Sequence, residues 1–404
     1  MIFLLAWRNI WRNKARSLVI MVSIALGLFA GVAVLSLYKG MMTSRIRMVI
    51  DEEVGHFQIH HPQFVKDFEP AYTIHQAQQV VRQLKLMPEV TNVVERSVAQ
   101  GMLSTPTGSS GVQIRGINPV EEGRFSLPEN KIFEGKGLDE NKHGEILIGK
   151  KLADKMKLKI RSKIVLTFTD TANEIVSSAF RIAGIYRSAN SSLDEKIVYI
   201  QKQELNALHG FEGSVHEIVV KIHQDEALDQ FMVSIRKKFP GLLIESWKDI
   251  SPETDFMVKS ANDYSYILMI IIMIALAFGI LNTMLMAVME RARELGMMMA
   301  LGTGRLRMFA MVMFETLMLS LLGAPVGIVS GWVIVGYYNR NGLDISGMGK
   351  DMMQSFGFST MVYPSFPSEK LVAVTLIVTV TALLSGILPA LKVLNMRPVD
   401  AIRN

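Results

Sequence analysis

Hydrophobic residues in this chain gather into four long runs. Leu18–Leu37, Ile267–Met289, Met308–Tyr338 and Leu371–Leu391 are apolar almost throughout, and Glu315 in the third is their one Asp, Glu, Lys or Arg. Crossing a hydrocarbon core of roughly 30 Å takes about 20 apolar helical residues, so each run predicts a spanning helix. Between the first two runs the period changes. HFQIH, VQIRGI, GEILIG, KIVLTF, FRIAGIY, KIVYI and HEIVVKI are short and rich in β-branched residues, which predicts strands. TIHQAQQVVRQLKLM, KKLADKMKL and DEALDQFMVSIRKKF space their apolar residues as amphipathic helices do. This region is large enough for its own core and for two subdomains.

Charge gives the pattern a direction, because Lys and Arg collect on the cytoplasmic side of membrane proteins. Arg8, Arg12, Lys14 and Arg16 precede the first run, Arg291, Arg293, Arg305 and Arg307 separate the second and third, and Lys392, Arg397 and Arg403 follow the fourth. These segments, with both termini, are expected in the cytoplasm of a bacterium, and the chain in its inner (cytoplasmic) membrane as a multi-pass protein. The predicted fold class is an α-helical membrane protein with four transmembrane helices and a large α+β extracytoplasmic (periplasmic) domain between helices 1 and 2.

The expected boundaries are a cytoplasmic interfacial helix at 1–17, spanning helices at 18–40, 263–289, 308–338 and 371–391, and the outer domain at 41–262. A cytoplasmic helix is expected at 290–307, an outer loop at 339–370 and a tail at 392–404. Phe3, Trp7, Ile10 and Trp11 form the apolar side of the first segment, as suits a helix lying in the interface. The first run is longer than the apolar core of a cleaved signal and is expected to stay. The first spanning helix should continue outward through YKGMMTSRIRMVI and the second begin near FMVKSANDYSY, making two helical stalks. The net charge of +6 sits largely at helix ends, which argues against a nucleic-acid partner, and the absence of cysteine leaves the outer domain without disulfides.

Candidate chemistry is sparse. The chain has no G-x-x-x-x-G-K-[ST] loop, no G-x-S-x-G and no H-E-x-x-H, so it lacks that route to ATP and those routes to hydrolysis. His56, His60 and His61 cluster without an evident fourth ligand, which points to surface or strand-edge histidines and no metal site. Gly323, Gly327 and Gly331 recur every four residues around Pro325. Such spacing lets helices approach closely, within the chain or between subunits. Asn282 and Glu315 are polar at membrane depth; Glu315 is expected to face a partner or water, or to pair near the inner interface and anchor its helix. Leu35, Tyr38, Met41 and Met42, with Tyr264, Ile267 and Ile270, mark a mouth where lipid or acyl chains could sit or the stalks could pack together. So few polar groups do not line a solute path, and energy entering from the cytoplasm is expected to pass along the stalks.

The segment MERARELGMMMALGTG, pinned between two spanning helices, carries the most information. Glu290 and Glu294 stand one turn apart near a helix start, where the dipole favours them, with Arg291 and Arg293 between. Met297, Met298, Met299 and Leu301 form an apolar second half, and Gly302 or Gly304 supplies the stop. Such a helix suits the cleft of a partner that moves it, and methionine adapts to that surface.

The run NTMLMAVMERARELGMMMALGTG resembles the segment joining the second and third helices of FtsX-like permeases, the group of MacB and the lipoprotein-releasing Lol permeases. Asn282, Glu290-Arg291-x-Arg293-Glu294-x-Gly296 and Ala300-Leu301-Gly302 carry the match. LAWRNIWRNKARSLVIMVSIALG, GEILIGKKLADKMKL, SWKDISPETDFMV, FETLMLSLLGAPVGIVSGW and LPALKVLNMRPVDAIR extend it over most of the chain. GHFQIHHP and SSLDEKIVYI look closest to the lipoprotein-releasing branch.

The resemblance implies a MacB-like periplasmic core domain and a coupling helix made by Glu290, Arg291, Arg293, Glu294, Gly296, Met297, Met298, Ala300, Leu301 and Gly302. It implies a non-enzymatic permease subunit that binds no cofactor, partnered by a separate ABC ATPase holding ATP and Mg and by a second permease copy or paralogue. It further implies lipoprotein cargo and a periplasmic carrier. Met299 replaces the usual Arg or Lys, implying a less charged docking surface, and the TDTANE turn is shorter than the hairpin by which one Lol permease recruits its carrier. The family also admits tripartite efflux and activation of a cell-wall hydrolase; an ATP-independent scaffold would have no use for the coupling motif.

Overall fold

The computed structural model describes residues 7–394 apart from 9, 13, 128, 189, 212 and 367–369. Phe3, Arg397 and Arg403 therefore lie outside the described residues. The chain divides into two compact units, one of Met1–Met42, Val258–Asp344 and Met361–Asn404, the other of Thr43–Met257 and Ile345–Thr360.

The first unit is a helical bundle. It holds Arg305–Asn341 and Leu371–Leu394 and most of Lys14–Met48 and Pro252–Glu290; in chain order these four are here called the first to fourth spanning helices, and each is long and apolar enough to cross a membrane. Each contributes an inward stripe at helical spacing: Ile20, Ile24 and Leu28; Met269, Met273 and Leu276; Met308, Met311 and Val312; Val374, Val378 and Ala382. The opposite faces are apolar too, with Leu26, Phe278, Val329 and Leu376 exposed. A helix apolar all round belongs in lipid or in a large core. The glycine stripe packs within the chain. A Cβ on Gly323 would stand 2.8 Å from the Met21 carbonyl oxygen, and one on Gly327 would stand 2.6 Å from that of Ala25. The third helix thus rests its backbone on the first.

The second unit is α+β. Its strands are β1 (Phe57–His60), β2 (Val90–Thr105), β3 (Gly108–Ile117), β4 (Ile132–Gly135), β5 (Glu145–Gly149), β6 (Lys163–Thr169), β7 (Ile175–Tyr186), β8 (Ile197–Gln201), β9 (Glu217–Ile222) and β10 (Leu243–Ser246). The order β10-β1-β9 and the first half of β2 is antiparallel throughout, with helices Ala77–Lys85 and Leu228–Lys238 packed on it. That is a split β-α-β arrangement. The second half of β2 pairs with β3 and with β6, and the ring closes through β8, β5 and β7. Leu103, Ile114, Ile148, Leu166, Phe180 and Val198 are among the side chains of this barrel's core. At about 3.3 Å per residue, the 16 residues of β2 reach far enough to serve both subdomains.

The two subdomains meet where β2 changes partner. Arg96 pairs in register with Glu217 of β9, and Ser97 with Gly116 of β3. Arg96 is fully buried there and donates to Glu122 at 3.0 Å and to Glu217 at 3.1 Å. Burial opposes the Glu122 carboxylate, but the Arg96 guanidinium outweighs it and holds its pKa below the usual value.

Two expectations need correction. His56 and His60 are neither exposed nor at an edge: both are buried, and β1 is paired on both sides. His56 Nε2 lies 2.7 Å from Asp225 and His60 Nε2 3.1 Å from Gln58, because strand burial obliges a polar ring to find a partner. Within 339–370, Ile345–Thr360 groups with the α+β unit while Leu343–Asp344 pairs with Met361–Val362 in the helical one. Leu35 is an interior residue of the bundle, because its position on the first helix continues the inward stripe of Ile24 and Leu28.

Candidate coupling site

The second spanning helix ends at Glu290, and a new helix, Ala292–Ala300, follows after a break at Arg291, whose φ and ψ are −101° and 9°. At the far end Leu301 N–H donates to Met297 O and Thr303 N–H to Met298 O, while Gly302 sits at φ 91°. A left-handed residue is the ordinary way to close a helix, and only glycine holds it without strain. The third spanning helix starts at Arg305. A nine-residue helix is thus fixed between two turns.

Its faces divide sharply. Leu295 and Gly296 are buried, and Met298 and Met299 pack against the bundle core. Glu290, Arg293, Glu294, Met297 and Ala300 are exposed. Leu301 and Leu306 project furthest, at 88% and 76% exposure. Leu306 was not singled out from sequence; an unpaired leucine between Arg305 and Arg307 was the available signal. Glu294 accepts an ion pair from Arg12. Of the residues assigned to coupling, Arg291 and Gly296 thus face inward, since the 3.6-residue period that exposes Arg293, Glu294 and Met297 turns Arg291 and Leu295 to the core.

Arg291 finds Glu315 there. Its Nη1 donates to both carboxylate oxygens at 3.2 and 3.3 Å, and both residues are buried. The acid at membrane depth is therefore paired near one end of its helix. Asn282 is exposed on the outside of the second helix. At the mouth, Tyr264, Ile267 and Ile270 form an exposed apolar face, whereas Tyr38, Met41 and Met42 are half-buried. No group of three or more His, Cys, Asp or Glu side chains suited to a metal occurs among the described residues.

Comparison with known proteins covers both parts of the chain. The model of the MacB-like periplasmic core domain matches residues 17–238, more than half of the chain, and that of the FtsX-like permease C-terminal region matches 266–398. The ABC transporter permease YvrN of Bacillus subtilis (strain 168) is 22% identical over 447 residues, covering 99% of this chain and 98% of that protein. The lipoprotein-releasing system transmembrane protein LolC of Xylella fastidiosa (strain 9a5c) is 21% identical over 305 residues, 72% of each chain. The macrolide export ATP-binding/permease protein MacB of Chlorobium luteolum is 25% identical over 207 residues, 51% of this chain and 27% of that longer one. Four spanning helices, a large α+β domain between the first two and a short helix between the second and third coincide with these matches, and the chain belongs to the FtsX-like, MacB-type family of ABC transporter permeases.

Proposed function

We propose that Ala292–Ala300 is the coupling helix of this permease, that a separate ATPase carrying ATP and Mg docks on it in the cytoplasm, and that the resulting motion extracts lipoproteins or other lipidated cargo from the inner membrane. The observation that carries this reading is a short helix held at both ends by spanning helices, with Glu290, Arg293, Glu294, Met297 and Leu301 exposed. The two helices that bracket the α+β unit in sequence run unbroken past the ends of their apolar runs, as a pair of force-bearing stalks should. The positive-inside distribution supports cytoplasmic termini and an outer α+β domain. Asn282, an amide at hydrocarbon depth on an exposed face, suits a second permease copy, since polar groups in lipid gain from a neighbouring helix. LolC supplies the lipoprotein reading. Each buried CH₂ of an acyl chain contributes about 0.8 kcal/mol, so a multiply acylated protein does not leave the bilayer unaided.

Glu294→Lys tests the docking surface. Reversing a charge in a contact that becomes desolvated costs about 2 kcal/mol or more, so membrane insertion should persist while co-purified ATPase falls more than about tenfold. Normal association and normal stimulation of ATP hydrolysis in this variant would remove the charged half of the helix from the docking site. A native pull-down of the unaltered chain decides the cargo. Lipidated protein in the complex supports release; an adaptor with an outer-membrane channel would replace it with efflux, and a hydrolase activator with cell-wall remodelling.

A further inference from the structure

We propose that the Arg291–Glu315 ion pair is the contact through which a displacement of the short helix reaches the interior of the third spanning helix, so that both are positioning residues for coupling. This rests on the reading of Ala292–Ala300 as the docking element.

The covalent links on either side of the short helix are poor levers. At one end the helix breaks at Arg291, and at the other Gly302 and Gly304 separate it from Arg305. A push on its exposed face could be absorbed by rotation at these turns. Leu295 and the flanking methionines do hold it to the bundle, but apolar contact is non-directional and tolerates sliding. The ion pair does not. Arg291 is 8% and Glu315 9% exposed, and one guanidinium nitrogen reaches both carboxylate oxygens. Sliding the helices apart would pull two buried charges out of their mutual hydrogen bonds, which is costlier than losing an apolar contact.

The position of the pair is as telling as its chemistry. Glu315 lies ten residues beyond Arg305, about 15 Å along the helix at 1.5 Å per residue. Force applied through it therefore enters the third helix almost three turns beyond its start. The next residue, Thr316, is fully buried, and a Cβ on Gly386 of the fourth helix would stand 3.0 Å from its hydroxyl. The third and fourth helices are thus in tight contact where the pair acts. A buried ion pair is seldom needed for stability, since apolar residues of similar volume often serve as well or better. Holding a fixed register is the best-attested use of such a pair.

The test employs the full permease with its ATPase, purified from membranes, in three forms: native, Arg291→Met with Glu315→Met, and Arg291→Glu with Glu315→Arg. The double methionine variant should insert and retain ATPase at the native level while permease-stimulated hydrolysis falls by about tenfold, within the range of coupling changes made by residues that touch neither ligand. The charge-swapped variant should recover most of the stimulation. A merely structural role predicts normal stimulation with paired methionines, and that result overturns the proposal. So does a swap that inserts and binds ATPase without recovering stimulation, or loss of ATPase binding in the methionine variant. If the native chain retains no ATPase, the docking reading itself fails and this proposal falls with it; if ATPase is bound and only the coupling prediction fails, the docking reading stands.

Discussion

His209 is fully buried, and neither of its ring nitrogens has a hydrogen-bond partner among the described residues. Phe168 meets it edge-on at 5.2 Å, and Phe211 and His216 lie 5.5 Å away, centroid to centroid. His216, equally buried, accepts from Val98 N–H through Nδ1 and lies 3.1 Å from the Pro70 carbonyl through Nε2. Burial pushes both pKa values down to about 4, with His216 adding to the effect at His209; Asp170 and Glu217 oppose it. The unfolded chain therefore binds more protons between pH 6.5 and 4, and stability falls with pH across that window by about 3 kcal/mol per histidine. Asp194 runs the other way. Its burial raises its pKa to about 6, against hydrogen bonds from Ser188, so it adds a similar stability, about 3 kcal/mol, as pH falls toward 4. Two histidines against one aspartate leave a net loss. His209→Leu should raise the unfolding midpoint at pH 7, since an unsatisfied buried polar group costs about 1–3 kcal/mol. It should also flatten the midpoint between pH 6.5 and 4. Unfolding midpoints of both proteins over that range check this, and an equally steep acid slope in the variant would contradict it.

At the scale of elements, the bundle depends on a seam where two helix backbones nearly touch. Gly327 sits on Ala25 and Leu28 so closely that a Cβ would fall 2.6 Å from one backbone oxygen and 2.8 Å from one Cβ. Gly336, on the same helix, has nothing within 4 Å. Gly327→Val should therefore separate the first and third helices and lower the unfolding midpoint in detergent, with a cost of about 1–3 kcal/mol or more as for other overpacked cores. Gly336→Ala should be neutral or slightly stabilising, because alanine is the better helix former. Equal midpoints for the two variants would show that the seam contributes nothing. Gly302 presents the opposite case. It has open space around it but a φ of 91°, so the obstacle to Gly302→Val is backbone strain alone.

At the scale of the molecule, everything proposed depends on which side each segment faces. The chain contains no cysteine, so single cysteines report without background. Ser109→Cys, at the exposed β2–β3 turn, should react with an impermeant thiol reagent in intact cells whose outer membrane is breached, and Arg305→Cys only after the inner membrane is opened. Labelling at position 305 in sealed cells would invert the arrangement and remove the short helix from any cytoplasmic ATPase.

Much of this molecule is written in local periodicity. The four spanning helices, the short helix with its glycine stop and seven strands of the α+β domain were all legible, because burial of one face, or of every face in lipid, leaves a repeat that needs no knowledge of distant residues. The glycine stripe was legible as close packing, but not its partner. Strand β2 escaped because its residues Arg96, Ser97, Val98 and Ala99 are buried in succession where it passes from one sheet to the other, which erases the alternation that marks a half-buried strand. Arg96, His56 and His60 resemble surface residues until Glu122, Asp225 and Gln58 are brought to them from elsewhere in the chain or along the strand. Arg291 counted with its neighbours as a docking charge, and Glu315 had two open roles. The tertiary structure joined them. Sequence by itself determined which faces are apolar and where helices stop, since those follow from solvent and backbone preference. Which buried charge meets which depends on segments far apart in the chain, and only the packed structure decided it.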